Sequence, residues 1–259
     1  MDMATIIGIV VALVCVLGST VMEGGNPAAL IAPPAMMLVL GGTFAVSMAS
    51  GLMKDTTGFA GLIKAALMSK VHEPGEAIKK LVEFAEKARR EGLLALEEAA
   101  KSIDDPFMKK GIELAVDGTD PEELREILET EIQSMKERHK AGAQFFANMG
   151  AFAPTLGIIG TVLGLVHVLE NLNDPSKLGP LISGAFIATL WGVMSANLFW
   201  LPMANKCKRV SGVEVHHMNL MLEGILAIQA GANPRVIEQK LVAYLPPKTR
   251  ATVAKDKAA

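Results

Sequence analysis

Residues 4–22 read ATIIGIVVALVCVLGSTVM and carry no charged side chain. A helix needs about 20 predominantly apolar residues to cross the hydrocarbon core of a bilayer, so this stretch reads as a membrane span. No basic region precedes it, and the run continues past leader length without a small-x-small cleavage site. It is therefore expected to be an anchor and not a cleaved signal. Glu23-Gly24-Gly25-Asn26-Pro27 then reads as a tight turn, and a second uncharged run extends from about Ala28 to Met53. Pro33-Pro34 lies near its start, where first-turn amides lack helical partners anyway. A third run covers about Phe145 to Leu169, Asn171-Leu172-Asn173-Asp174-Pro175 turns the chain, and a fourth covers about Leu178 to Ala204.

The composition agrees with this reading. Hydrophobic residues make up 51% of the 259-residue chain, and the mean hydropathy is +0.36. The net charge is only -2, so nothing suggests a nucleic-acid partner. Charge is concentrated between Lys54 and about Ala143, where apolar residues recur at helical spacing. Ile78, Leu81, Val82 and Ala85 form one stripe, and Leu124, Ile127, Leu128 and Ile132 another. Breakers separate these helices at Glu73-Pro74-Gly75, Gly92, Asp104-Asp105-Pro106 and Asp117-Gly118-Thr119-Asp120-Pro121. In the last, Thr119 or Asp120 is expected to cap a helix that has Pro121 at its first position.

The fold class expected is therefore all-α: an integral membrane protein with four transmembrane helices and a helical cytoplasmic domain between spans 2 and 3. Residues 1–53 form a transmembrane hairpin, 54–143 the cytoplasmic domain, 144–205 spans 3 and 4, and 206–259 cytoplasmic helices with a disordered tail after Pro246-Pro247. An insert of this size, so tightly tethered, is expected not to be fully independent of the membrane part. Lys177 is the single Lys or Arg in either short turn; the others lie between Lys54 and Lys140 or from Lys206 onward. The positive-inside rule then places the insert and both termini in the cytoplasm.

No catalytic constellation appears, and no enzyme or cofactor is expected. Cys15 and Cys207 are too far apart in sequence for a metal or redox motif and read as packing residues. His216 and His217 point about 100° apart on a helix and read as surface or interface residues. His167, with no acid or base at helical spacing, reads as packed or interfacial. Asp, Glu, Lys and Arg are absent from the centres of all four spans. Ion movement usually needs a polar or ionisable group there, so either the chain moves no ions or a partner helix supplies the carboxylate. Small residues do form stripes: Gly8, Ala12, Cys15 and Ser19; Gly157, Gly160 and Gly164; Gly184, Ala188 and Gly192. Such faces let helices approach closely in lipid. Pro154, inside the third span, removes a helical hydrogen bond and frees the carbonyl of Gly150. Thr161 lies two turns further on the same face, and Thr189 lies mid-way along the fourth span. These hydroxyls could line a polar path, but spacing alone favours each bonding back to its own helix.

Several stretches resemble one family over nearly the whole chain. They are Gly24-Gly25 through Pro34 to Leu40-Gly41-Gly42-Thr43, Ala153-Pro154-Thr155-Leu156-Gly157-Ile158-Ile159-Gly160-Thr161 with Gly164-Leu165-Val166, and Asn173-Asp174-Pro175 with Gly179-Pro180. The tail stretch Glu223-Gly224-Ile225-Leu226-Ala227-Ile228-Gln229-Ala230-Gly231-Ala232-Asn233-Pro234 joins them. The chain resembles the MotA family of flagellar-motor stator subunits, in the superfamily of the TolQ and ExbB proteins. The resemblance implies a homo-oligomeric ring, about five copies, around two copies of a MotB-like partner whose single span carries the ion-binding aspartate. It implies a bacterial inner-membrane location and cytoplasmic contact with the rotor protein FliG.

Residue by residue, Pro154 matches the third-span proline beside the partner's aspartate, and Pro202 the proline at the inner end of the fourth span. Arg89 and Glu97 match the basic and acidic residues that face the rotor, with Gly92 setting their register; Arg90 and Glu98 can share or replace that role. Thr161 and Thr189 match hydroxyl positions typical of sodium-driven stators, so the transported ion is expected to be sodium, with the proton still open. The alternative is an ExbB/TolQ-like energiser of an outer-membrane system. Those relatives look like three-span proteins with the insert after the first span, and the hairpin Ala4 to Met53 argues against them.

Overall fold

The computed structural model describes residues 3–68, 74–247 and 250, and every regular element among them is helical. Helix α1 spans Ala4–Met22 and α2 spans Pro33–Ala49, with a π turn at Met37–Gly41. Helices α3 (Met53–Thr57), α4 (Phe59–Met68), α5 (Pro74–Glu91), α6 (Leu96–Ala100) and α7 (Pro106–Val116) follow. Helix α8 runs unbroken from Pro121 to Glu170. Helix α9 spans Pro175–Gln229 with a π turn at Ala196–Trp200, and α10 spans Pro234–Val242. The expected tail after Pro247, apart from Arg250, and Glu73 of the first breaker lie outside the described residues.

One local device starts helix after helix. Asp105 Oδ1 accepts from the amides of Phe107 and Met108, both at 2.9 Å. Asp120 Oδ1 accepts from Glu122 N at 2.9 Å, Asp174 Oδ1 from Ser176 N at 3.2 Å and Asn233 Oδ1 from Arg235 N at 3.0 Å. In each case a proline occupies the first helical position, where its missing N–H is no loss.

The second span is shorter than the expected run from Ala28 to Met53. Pro27–Leu30 forms a 3-10 turn, and Ala32 is extended at φ -115°, ψ 96°. A residue before proline is pushed out of the helical region, so the helix begins at Pro33. Its 17 residues rise roughly 25 Å at 1.5 Å each. Helices α1, α8 and α9 contain the apolar stretches long enough to cross a membrane.

The chain forms two compact units, residues 1–70 with 138–210, and residues 71–137 with 211–259. The expected boundary at 143/144 falls within α8, and that at 205/206 within α9. In the first unit Phe59 of α4 packs against Phe44, Phe145 and Phe146, with ring centroids 5.2, 5.5 and 5.7 Å apart. Phe146 and Met149 are fully buried there. Large apolar side chains elsewhere on α1 and on 158–169 are exposed, as lipid-facing or subunit-facing surfaces are. Trp191 Nε1 donates to Leu30 O at 2.7 Å, fixing the start of the second span against α9.

The second unit has a conventional apolar core. Ile78, Leu81 and Ala85 of α5 and Leu124, Leu128 and Ile132 of α8 are buried as their spacing predicts, while Val82 and Ile127 are half-buried. The sequence does not announce the rest of that core: Met218, Leu220, Met221, Leu222, Ile225 and Ile228 of α9, with Ile237 and Leu241 of α10. A hydrophobic side chain fully buried in this way stabilises by about 1.5–3 kcal/mol. Glu223 links three helices of this unit, accepting from Arg125 Nη1 at 3.3 Å and from the Lys240 ammonium.

Candidate functional site

The site begins with glycines. A Cβ on Gly157 of α8 would lie 2.9 Å from the carbonyl oxygen of Ala188 and 3.1 Å from Cα of Thr189. On Gly160 it would meet Ala188 Cβ at 2.7 Å, and on Gly164 it would meet Ala185 Cβ at 2.6 Å. From the other side, a Cβ on Gly192 would sit 2.7 Å from Ala153 O. The backbones of α8 and α9 therefore touch along Gly157, Gly160 and Gly164 on one helix and Ala185, Ala188 and Gly192 on the other. Gly184, expected in this contact, instead faces open space, as does Gly8 of the first span.

Close approach brings hydroxyls across the seam. Thr161 Oγ1 bonds Gly157 O of its own helix at 3.2 Å and also Ala185 O of α9 at 3.0 Å. Thr189 Oγ1 is hydrogen-bonded to Thr161 Oγ1 and lies 3.4 Å from Gly157 O. Bonding back to the parent helix thus describes only one contact of Thr161. With no glycine side chain between them, the neighbouring helix offers an oxygen at equal range. Two hydroxyls and the carbonyls of Gly157 and Ala185 form a half-buried cluster of four oxygens without a formal charge. Such oxygens can replace part of a cation's hydration shell.

Pro154 is seven residues before Thr161 on α8, about two turns and roughly 10 Å along the axis. The helix continues through it, but Pro154 cannot donate to Gly150 O. Gly150 is itself overlaid by Leu201, whose Cδ2 would be 2.5 Å from a Cβ there. Pro202 lies elsewhere. It follows the π turn Ala196–Trp200 and lines a groove against α1 with Gly8 and Ala12. A π turn is where a helix absorbs such an irregularity.

The charged candidates gather at one tip. Arg89 and Arg90 occupy the last turn of α5, and Glu97 and Glu98 the first turn of α6, each sign matching its helix dipole. Gly92 joins them at φ 85°, a left-handed conformation that suits glycine. All four charged residues are exposed. Glu98 pairs with Lys101 at 3.0 Å and Arg90 reaches Glu91 at 4.0 Å. Arg89 and Glu97 make no ion pair among the described residues.

Several features escaped the sequence reading. Leu94, at the tip between the charges, is 73% exposed; its place in an otherwise apolar Leu-Leu-Ala-Leu run hides it. The carbonyl of Ala185 has no side-chain signature at all. Thr43 and Ser47, one turn apart on α2, are fully buried, and their hydroxyls have no hydrogen-bond partner among the described residues. His167 does have an acid at helical spacing, since its Nδ1 lies 3.1 Å from Glu170 Oε2.

Residues 99–220 match the MotA/TolQ/ExbB proton channel family, and residues 6–92 match the motility protein A N-terminal domain. Motility protein A of Bacillus subtilis is 40% identical over 251 residues, covering 96% of this chain and 93% of that protein. Chemotaxis protein PomA of Vibrio alginolyticus is 38% identical over 95% of this chain and 96% of its own length. Among solved structures, C. jejuni MotAB superposes with a TM-score of 0.91 at 33% identity, covering 95% of this chain and 97% of that one. The flagellar MotAB stator complex of Bacillus subtilis gives 0.90 at 39% identity, covering 96% and 98%.

Proposed function

This chain belongs to the MotA/TolQ/ExbB proton channel family; it is a stator subunit of the bacterial flagellar motor, seated in the inner membrane, and we propose how its residues do that work. A MotB-type partner helix supplies the carboxylate that the span centres of this chain lack. Several copies, about five, surround two such partner helices. Four helices cross the membrane, the short α2 among them, with both termini in the cytoplasm by the distribution of Lys and Arg. The observation that carries the reading is the oxygen cluster of Thr161 and Thr189 at a glycine-tight seam, with Pro154 two turns along. An ion released by the partner's carboxylate meets these oxygens in place of water. A sodium ion needs such a ligand shell, whereas a hopping proton does not, so sodium is the proposed ion. Its fall through the membrane potential delivers about 2.3 kcal/mol per charge per 100 mV.

Torque leaves through the α5–α6 tip. Arg89 and Glu97 present opposite charges to FliG, Arg90 and Glu98 flank them, and Leu94 adds an apolar contact. Arg89→Glu is expected to lower swimming speed, and adding Glu97→Lys to recover part of it. Unchanged swimming by either single variant would remove the electrostatic contact from the mechanism.

The test of the whole reading is swimming speed in cells lacking their own stator, supplied with this chain and its cognate partner. Motility lost only when sodium is replaced by potassium supports the proposed ion. Motility in both media assigns the proton instead. No motility in either, with a rotor matched to the chain, would overturn the stator reading in that setting and favour an ExbB/TolQ-like role.

A further inference from the structure

Helix α1 has no buried residue along its length. Its first half does not lie flat on α9. A groove of about 490 Å³ separates them, walled by Gly8 and Ala12 on α1 and by Leu198, Pro202, Lys206 and Arg209 on α9. The spacing of the α9 residues, 198, 202, 206 and 209, places them on one helix face. Along that face the chemistry changes in order. Leu198 and Pro202 are apolar, and the two cations follow about one and two turns beyond Pro202. From Leu198 to Arg209 the helix rises roughly 16 Å. Lys206, Lys208 and Arg209 mark the place where α9 leaves the hydrocarbon. The smallness of Gly8, which faces open space, keeps the floor deep.

A slot that is mostly apolar at membrane depth, where the Asn197 amide is taken up by the carbonyl of Val193, and cationic at headgroup depth fits one class of molecule. We propose that this groove holds an anionic phospholipid, with an acyl chain against Gly8, Ala12, Leu198 and Pro202 and its phosphate on Lys206 and Arg209. Basic pockets at the interfacial ends of membrane helices recognise such headgroups. The lipid completes the packing of α1 against α9 where the protein's own side chains leave it open. The inference rests on the membrane placement of the helices and not on the torque mechanism.

The experiment uses the full chain with its cognate partner, purified in mild detergent and equilibrated with palmitoyl-oleoyl phosphatidylglycerol or phosphatidylcholine. Native mass spectrometry counts the lipid retained per chain. Phosphatidylglycerol is expected to be retained in preference to phosphatidylcholine. Lys206→Gln with Arg209→Gln is expected to weaken retention roughly thirtyfold, from about fivefold per cation near a headgroup. Gly8→Leu with Ala12→Leu, which fills the floor, is expected to abolish it. Soluble glycerol phosphate is expected not to compete, since it lacks the chain. Equal retention of the two lipids, unchanged retention in the cation variant, or displacement by glycerol phosphate would each overturn the proposal. So would a floor-filling variant that alters the number of subunits while the lipid count stays the same, because a second copy would then occupy the groove. If the floor-filling variant fails to insert, the cation variant decides alone, its changes lying on the polar rim.

Discussion

Thr161 and Thr189 each contribute one oxygen to the seam, and their worth can be separated from their bulk. Thr161→Val keeps the branched shape but removes the oxygen that meets Gly157 O, Ala185 O and Thr189. It is expected to cut sodium-driven swimming severalfold, while Thr161→Ser, which retains the hydroxyl, keeps most of the speed. Equal speeds for the Val and Ser variants would deny the hydroxyl any part in ion passage. Glu223 poses a different residue-scale question. The Lys240 ammonium hydrogen-bonded to it, helped by Arg125, holds its carboxyl below its ordinary value of 4.5 against the opposing effect of burial. A carboxyl lowered by folding stabilises the protein fully above its unfolded value, and that contribution disappears as pH falls through the lower folded value. Glu223→Gln is therefore expected to cost about 1 kcal/mol at neutral pH, and its urea unfolding curve should converge with that of the unmodified chain in acid well below pH 4.5. A constant gap across pH would assign the loss to packing. The two threonines were legible in the sequence as hydroxyls in apolar spans. Their meeting was not, because it depends on carbonyls that every residue has and on a helix rotation that spacing does not set.

That rotation belongs to the element scale. The glycines of α8 were legible as an approach face, but α9 offers small residues at 184, 185, 188 and 192, on more than one side of the helix. Small-residue spacing alone could not choose between Gly184 and Ala185. The backbone contacts choose Ala185. This makes a paired prediction. Gly157→Ala puts a methyl 2.9 Å from a carbonyl oxygen and 3.1 Å from a Cα, neither of which can rotate away, and is expected to cost about 1–3 kcal/mol. Gly184→Ala meets nothing within 4 Å and is expected to be neutral or slightly stabilising, because alanine is the better helix former. Thermal unfolding of the two variants in detergent, followed by circular dichroism, checks the ranking; a reversed order would contradict the seam. Helix starts were the most legible elements, since Asp or Asn before Pro fixes both a cap and a first position. Helix ends inside the long rods were not. The shift from charged to apolar residues near 143 changes the solvent of α8 without interrupting its hydrogen bonds.

At the scale of the whole chain, the consequential feature is that the second unit is assembled from two distant stretches, 71–137 and 211–259. The size of the insert shows that it needs support, and the expectation looked to the membrane part for it, whereas the core is completed by the C-terminal stretch. That supplier was not legible, because Val213 to Gln229 carries apolar residues around much of the helix and shows no single stripe to match to a partner. The structure gives Met218, Leu220, Met221, Leu222, Ile225 and Ile228 to the same core as Leu81, Ile112 and Leu128. A Cβ on Gly224 would stand 2.6 Å from Leu81 Cδ1, and one on Gly111 2.5 Å from Ile225 Cδ1, so the tail is fitted closely into the insert. A chain stopped after Val210 would keep Arg89, Gly92, Leu94 and Glu97 but lose one wall of the core that holds their helices. A domain of such small size rarely survives losing that much buried area. The truncated chain is expected to insert into the membrane yet show an insert that is cleaved rapidly by added protease and exchanges its amide hydrogens freely, with no swimming. Full-length chain carrying Leu81→Ala, which costs about 2–5 kcal/mol at a fully buried position, should show the same effects in milder form. If the truncated insert instead stays protected and drives the rotor, the tail is dispensable and the torque tip is held by residues 74–137 alone. If protection and swimming fall together in both variants, the tail acts as part of the arm that transmits force.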